Sequence, residues 1–323
     1  RTPDLARIEV PLLSSANWGG QGLHPRGNFE GFTQSASQQK WLDVHGDTHF
    51  TNFYTDYGVR MQKRFFGYFL KGEDNGWDSE PRVRLQVRHA DGRFVERHEK
   101  EWPLARTRWT PYHLDLNGLT FSPDPPAEDQ SLAYSGLDDG VSFSTAPLTE
   151  GLEITGPIAA RLWISSSTPD ADLFLILRVL RPDGQEVVFQ GSNDRNTPIA
   201  QGWLRASHRR LDRSRSLPYR PYHSHDQVEP LTPGEVYALD VEIWPTCIVI
   251  PVGYRLALSV QGTDYEYAGD AGEEMGSLGY KGCGPFVHSD PEDRPPVVFG
   301  GQVTIYSGPD RPSHILLPVI PAG

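Results

Sequence analysis

With 323 residues, 37% of them hydrophobic and eight of them Trp, the chain has material for two cores, because domains commonly hold about 100–200 residues. A formal charge of −12 sets nucleic acid aside as a partner, since phosphate binding needs a basic surface. No apolar run approaches the ~20 residues that cross a bilayer, so no membrane partner is expected.

Cys247 and Cys283 make no disulfide framework, which points to a reducing, cytoplasmic compartment. One bridge between them stays open. The start, RTPDLARIEVPLL, lacks the basic and apolar regions of a signal peptide, although a processed export signal would leave no trace.

Taken in chain order, the first seventy-odd residues have an α/β texture. IEVPLL (8–13) reads as a buried parallel strand, SANWGGQG as a Gly-rich loop, and about 26–38 as a helix. WLDVH (41–45) is a second strand. VRMQKRFFGYFLKG (59–72) is a helix, because Met61, Phe65, Phe66, Phe69 and Leu70 recur at three- and four-residue spacing and Gly72 supplies a stop. This is the order of a doubly wound sheet, but two strands cannot complete one. Residues 1–75 are therefore expected to pack on further strands, on this or a second chain, or against the β-rich part that follows.

From about residue 82 the texture turns to β. The short runs 83–88, 93–99, 112–116, 158–167, 172–180, 185–190, 236–244, 254–262 and 301–307 alternate with turn signals, and ADGR and RPDGQ carry the Asp-Gly pairs of tight hairpins. Many strands with little helical pattern predict a β-sandwich, and a jelly roll suits the size. No repeat of 20–50 residues is visible, which disfavours a propeller.

Within KWLDVHGDTHFTNFY (40–54), a strand breaks at Gly46 and delivers His49 into a polar loop. From spacing alone His49 is either an ordinary loop histidine or a general base. His45 and His49 have the four-residue spacing of zinc ligands on a helix, but Gly46 and the preceding strand argue against a helix there. HSHD (223–226) sits in an extended, Pro-rich stretch and reads as structural. DADL (170–173) and 262–274 lack the ligand spacing of a calcium loop and read as solvated turns, as does the basic run 205–215. The Trp-containing stretches GWDSE, EWPLA and RWTPYH read as core rather than as a sugar platform. Neither a metal nor any other cofactor is expected.

Much of residues 80–320 resembles the C-terminal jelly-roll domain of the CocE/NonD hydrolases, which include cocaine esterase, X-Pro dipeptidyl-peptidases and α-amino-acid ester hydrolases. TGPIAARLWISSS, PDADL and LTPGEVYALDVEIW carry the resemblance. It implies that residues 1–78 are the end of an α/β-hydrolase catalytic domain and 79–323 a jelly-roll β-sandwich. It also places His49 at the family's general base. The family's acid falls two residues after the loop Trp, where this chain has Gly20; Glu30 and Asp47 are the nearest carboxylates in sequence and the acid candidates.

The nucleophile belongs on a Gly-x-Ser-x-Gly elbow, and that pentapeptide does not occur in this sequence. The implied partner is an N-terminal catalytic half carrying the serine, on the same or a separate polypeptide. The implied substrate is a small ester or amide cleaved through an acyl-enzyme, and the isolated chain is expected to be inactive. The competing expectation is a non-catalytic module that binds carbohydrate or holds a subunit interface, for example in a homo-oligomer, with a degraded triad.

Overall fold

The structure, a computed structural model, describes residues 3–20, 22–192, 194–270 and 280–321 and is mainly β. The chain divides into two compact units. The first is Arg1–Ala105 with Phe189–Thr197 and Tyr267–Pro285; the second is Arg106–Val188, Pro198–Glu266 and Phe286–Gly323.

In the first unit, β1 (Leu12–Asn17), α1 (Pro25–Gln34), β2 (Lys40–His45), α2 (His49–Tyr54), α3 (Asp56–Lys71), β3 (Val83–His89) and β4 (Phe94–Glu99) follow in order. β1 pairs with β2 and β2 with β3, both in parallel, and β4 closes the edge as an antiparallel hairpin with β3. Residues 83–99, read from sequence as the start of the β-rich texture, thus continue the parallel sheet. The hairpin turn needs Gly92 at φ 90°, a conformation that costs glycine little.

β1 lies four residues later than its apolar run suggests. Its interior is polar: the Ser14 hydroxyl donates to the Asn28 carbonyl on α1, and Ser15 Oγ lies 3.5 Å from Asp43 Oδ2. Side chains alternate across a strand, so Leu13 and Trp41 face α3 while Ser14 faces α1. Trp41 packs with Met61, Phe65 and Trp77. Phe66 and Leu70, expected on the same helix face, are instead exposed at 50% and 77%. Thr55 caps α3 by accepting from the Gly58 amide, and Gly72 ends it in the left-handed region.

Gly31 lies inside α1, and a Cβ there would meet nothing within 4 Å. Gly31→Ala is therefore expected to stabilise the chain by about 0.5–1 kcal/mol, read as a higher urea midpoint.

The second unit is a set of strands joined in the order β13-β9-β16-β5-β6-β8-β14-β10-β11, with β12 on β10 and β15 joining β7 to β9. The ranges are β5 Arg108–Asp115, β6 Thr120–Ser122, β7 Gln130–Ser135, β8 Val141–Ser144, β9 Leu152–Ser166 and β10 Asp172–Leu180. There follow β11 Glu186–Val187, β12 Ala200–Arg205, β13 Tyr237–Ile250, β14 Arg255–Gln261, β15 Gln302–Ser307 and β16 His314–Ile320. Among the described residues of this unit, pairing is antiparallel except for the bridge Thr120↔Ser144.

The registers of β13 and β16 against β9 shift between Ile243 and Thr246 and between Leu316 and Val319, where Pro245 and Pro318 lie. Proline donates no ladder hydrogen bond and settles at such bulges. Buried Ile158, Leu162, Ile164, Leu175, Leu239, Val241 and Leu258 fill the interior.

Two expectations fail in this unit. DADL is no solvated turn: Asp170 and Asp172 are buried, Asp170 accepting from the Ser207 amide at 2.9 Å and Asp172 pairing with Arg205 and Arg294. Arg205, read as part of a solvated basic run, turns inward to make that pair. Of the stretch 262–274, residues 271–274 lie outside the described ones.

His288 Nδ1 donates to Asp264 Oδ1 at 2.9 Å, which raises the imidazole above its ordinary range while partial burial opposes the shift. A raised folded value means that this contribution to stability is complete below the unfolded pKa of about 6.5 and is lost as pH rises through the folded one. The melting advantage of the parent over His288→Gln is therefore expected to shrink between pH 6 and pH 9; an advantage independent of pH would contradict it.

Candidate active site

The first unit places its chemistry at the carboxyl ends of β1 and β2, where open α/β sheets bind ligands. The parallel register sets Ser15 beside Asp43 and Asn17 beside His45. A cleft of about 390 Å³ is lined there by Ser15, Asn17, His24, Asn28, His45, Phe50, Phe53 and Tyr54. Its floor is polar, and α2 supplies an aromatic wall, with Phe50 and Phe53 each 54% exposed. Few polar groups beside an apolar wall is the usual make-up of a small-molecule site.

The turn between β2 and α2 is fixed at each residue. The Gly46 amide donates to Gln86 Oε1 at 2.9 Å, and a Cβ on Gly46 would enter the Phe94 ring. Asp47 adopts φ 60°, an uncommon conformation for a residue with a side chain, and its Oδ1 accepts from the Thr48 amide at 2.8 Å. Thr48 Oγ1 then accepts from the Thr51 amide at 3.0 Å and caps α2. His49 is thus the first residue of a short helix rather than part of an open loop. Its side chain lies outside the described residues.

His45 is buried, and its Nδ1 lies 2.8 Å from the Gly46 carbonyl. A carbonyl can only accept, so Nδ1 carries the proton. His45 on β2 and His49 at the start of α2 share no helix, which removes the reason for reading their spacing as zinc ligands. Among the described residues no group of three or more His, Cys, Asp or Glu is arranged to hold a metal ion.

Glu30 sits buried on α1, its Oε2 accepting from Gln34 Nε2 one turn later. Asp47 is exposed and capped on Thr48. Gly20 follows β1 in the turn Asn17–Gly20, closed by the Gly20 amide on the Asn17 carbonyl at 3.2 Å. Gly19 in the same turn meets the backbone of Gln190 and Gly191 so closely that a Cβ would overlap both. The Ser192 amide donates to the Gly19 carbonyl at 3.0 Å. Residues 190–192 therefore close over the β1 turn, and sequence patterning missed this because the two segments are far apart in the chain.

Below the floor, the buried Asp43 accepts from Tyr57 OH at 2.9 Å, and Arg84 Nη1 donates to the same phenol oxygen at 3.1 Å. Arg84 and Arg64 both pair with Glu80. Burial pushes the Asp43 carboxyl above its ordinary range, with the Tyr57 hydrogen bond acting against that shift. Pattern reading missed Asp43 as well, since its partners come from α3 and β3.

A family model described as the X-Pro dipeptidyl-peptidase C-terminal non-catalytic domain matches residues 75–316. The chain is 26% identical over 298 residues to a cocaine esterase of Rhodococcus sp. (strain MB1 Bresler), covering 80% of this chain and 45% of that protein. A crystal structure of a CocE/NonD family hydrolase from Staphylococcus aureus superposes with a TM-score of 0.87 at 30% identity, over 98% of this chain and 55% of that one. An α-amino-acid ester hydrolase shares the fold, with a TM-score of 0.65 at 18% identity over 98% of this chain and 56% of that one. The chain thus spans about half the length of these relatives.

Proposed function

The chain belongs to the X-Pro dipeptidyl-peptidase C-terminal domain family and corresponds to the C-terminal portion of CocE/NonD-type hydrolases; from that premise we propose that the complete protein is a serine hydrolase. It cleaves an ester or amide bond of a small molecule through an acyl-enzyme intermediate. The strands and helices up to β4 are the last of an α/β-hydrolase domain, and most of the strands from β5 on form a jelly-roll β-sandwich.

The observation that carries this reading is the pinned turn 46–48. It follows a parallel strand, opens beside a cleft with a polar floor, and delivers His49 at the carboxyl end of the sheet. The exposed aromatics of α2 and the exposed Phe66 and Leu70 of α3 support a catalytic half seated against this unit.

In the proposed mechanism the nucleophile is a serine on a Gly-x-Ser-x-Gly turn of that half. A serine hydroxyl attacks only when a base removes its proton, and a neutral imidazole does so near pH 7. His49 takes that proton, the serine oxygen forms the acyl bond, and His49 returns the proton to the departing alcohol or amine. A second cycle with water frees the acid.

A carboxylate on the far imidazole nitrogen steadies the charge formed. Glu30 and Asp47 stand as candidates, tested by Glu30→Gln and Asp47→Asn. Gly20 at the family's acid position favours a second reading, a binding or assembly module that has lost catalysis.

Labelling with a fluorophosphonate separates the two. The complete protein is expected to take up one adduct, on a serine outside these 323 residues, and the 323-residue chain alone none. An unlabelled complete protein would favour the module, and an adduct on a serine within the 323 residues would overturn the assignment of the nucleophile.

A further inference from the structure

We propose that Asn17 is the positioning residue for the histidine turn, taking over the tether between the ends of β1 and β2. This rests on the reading of His49 as the base. Asn17 is the last residue of β1 and only 2% exposed. Its Nδ2 donates to the Gly46 carbonyl at 3.2 Å and to the Asp47 carbonyl, so both amide protons are used on consecutive residues of the turn. Its Oδ1 accepts from Ser192 Oγ at 3.0 Å, and Ser192 is itself 5% exposed. The contacts fix the orientation of the amide, since two carbonyls can be met only by its NH₂ end.

The chemistry is specific to asparagine. Aspartate is isosteric but would set a carboxylate oxygen against two carbonyl oxygens. Alanine or leucine would remove the donor to the Asp47 carbonyl and leave the Gly46 carbonyl with His45 Nδ1 in place of two donors. The Asp47 carbonyl is aimed inward by its φ of 60°, and the donor that meets it is the Asn17 amide. Backbone held in such a conformation persists where surrounding contacts over-determine it. Loss of the amide frees the turn to relax and shifts the helix start that carries His49. The effect is therefore on the rate of the chemical step rather than on substrate binding.

The test is a double-mutant cycle on the complete protein with p-nitrophenyl acetate as reporter. Asn17→Ala and Asn17→Asp are expected to lower kcat by about 10- to 100-fold with little change in KM, because a misplacement near 1 Å has that effect. In a His49→Ala background, Asn17→Ala should lower the rate no further, since it acts only through that histidine. If Asn17→Ala does not fold, Ser192→Ala, which removes only the donor to Oδ1, carries the same test with a smaller fall. An Asn17 effect that persists at full size without His49 overturns the positioning role alone. A His49→Ala protein that keeps its rate sinks the base assignment, and the positioning role with it.

Discussion

Replacing His49 by alanine in the complete protein is expected to lower kcat/KM for p-nitrophenyl acetate by roughly 10³-fold or more, about 4 kcal/mol of transition-state stabilisation. Removing the base from a complete triad can cost roughly 10⁶-fold, because serine, imidazole and carboxylate act as a unit. On the proposed reading Gly20 stands where the triad carboxylate is expected, so the unit begins from a lower level and the loss is smaller. The fall should appear mainly in kcat, since in the proposed mechanism His49 handles a proton only as the tetrahedral species forms. Fluorophosphonate labelling of the variant should slow in parallel. An unchanged rate constant, with the variant folded, would remove His49 from the mechanism.

The second large effect is on stability. Asp172 is buried, and Asp172→Ala is expected to lower the free energy of unfolding by about 3–5 kcal/mol. Its Oδ1 accepts from Arg205 Nε at 2.8 Å, and its Oδ2 from Arg205 Nη2 at 3.0 Å and Arg294 Nε at 2.8 Å. Arg294 is 6% exposed and also donates to the carbonyls of His288 and Gly262. Deleting the carboxylate strands a buried guanidinium charge, which is far worse than never having buried the pair. Equilibrium urea denaturation of the 323-residue chain measures this. A loss under ~1 kcal/mol would mean that the cluster behaves as a solvent-screened surface pair.

Elements built on local periodicity were legible in the sequence. The helix expected at 59–72 is α3 at Asp56–Lys71, and the strand expected at 41–45 is β2 at Lys40–His45. Elements built on distant partners were not. The strand expected at 8–13 follows apolarity, whereas β1 carries two serines, one of them buried, whose partners lie 14 and 28 residues away. The six-residue α2 is too short to show a period, and only Thr48 as its cap marks it. The run expected as a strand at 185–190 keeps two residues as β11 before the chain leaves at Phe189 for the first unit. PDADL was legible as a family signature while its physical meaning, a buried ion cluster, was not, because Arg294 comes from 122 residues further on.

The hydrogen bond between Ser192 and Asn17 joins residues 175 positions apart, and it gives the site a birth order. A ribosome adding about 5–20 residues per second needs roughly 9–35 s to pass from one to the other. During that interval β1, β2 and α3 can already pair, but the Asn17 amide lacks its lock and the Gly19 turn lacks its cover. The histidine end of the sheet thus gains this lock only after β5 to β11 have been made. A nascent chain that stalls before Ser192 would carry Asn17 without the hydroxyl that orients its side-chain amide.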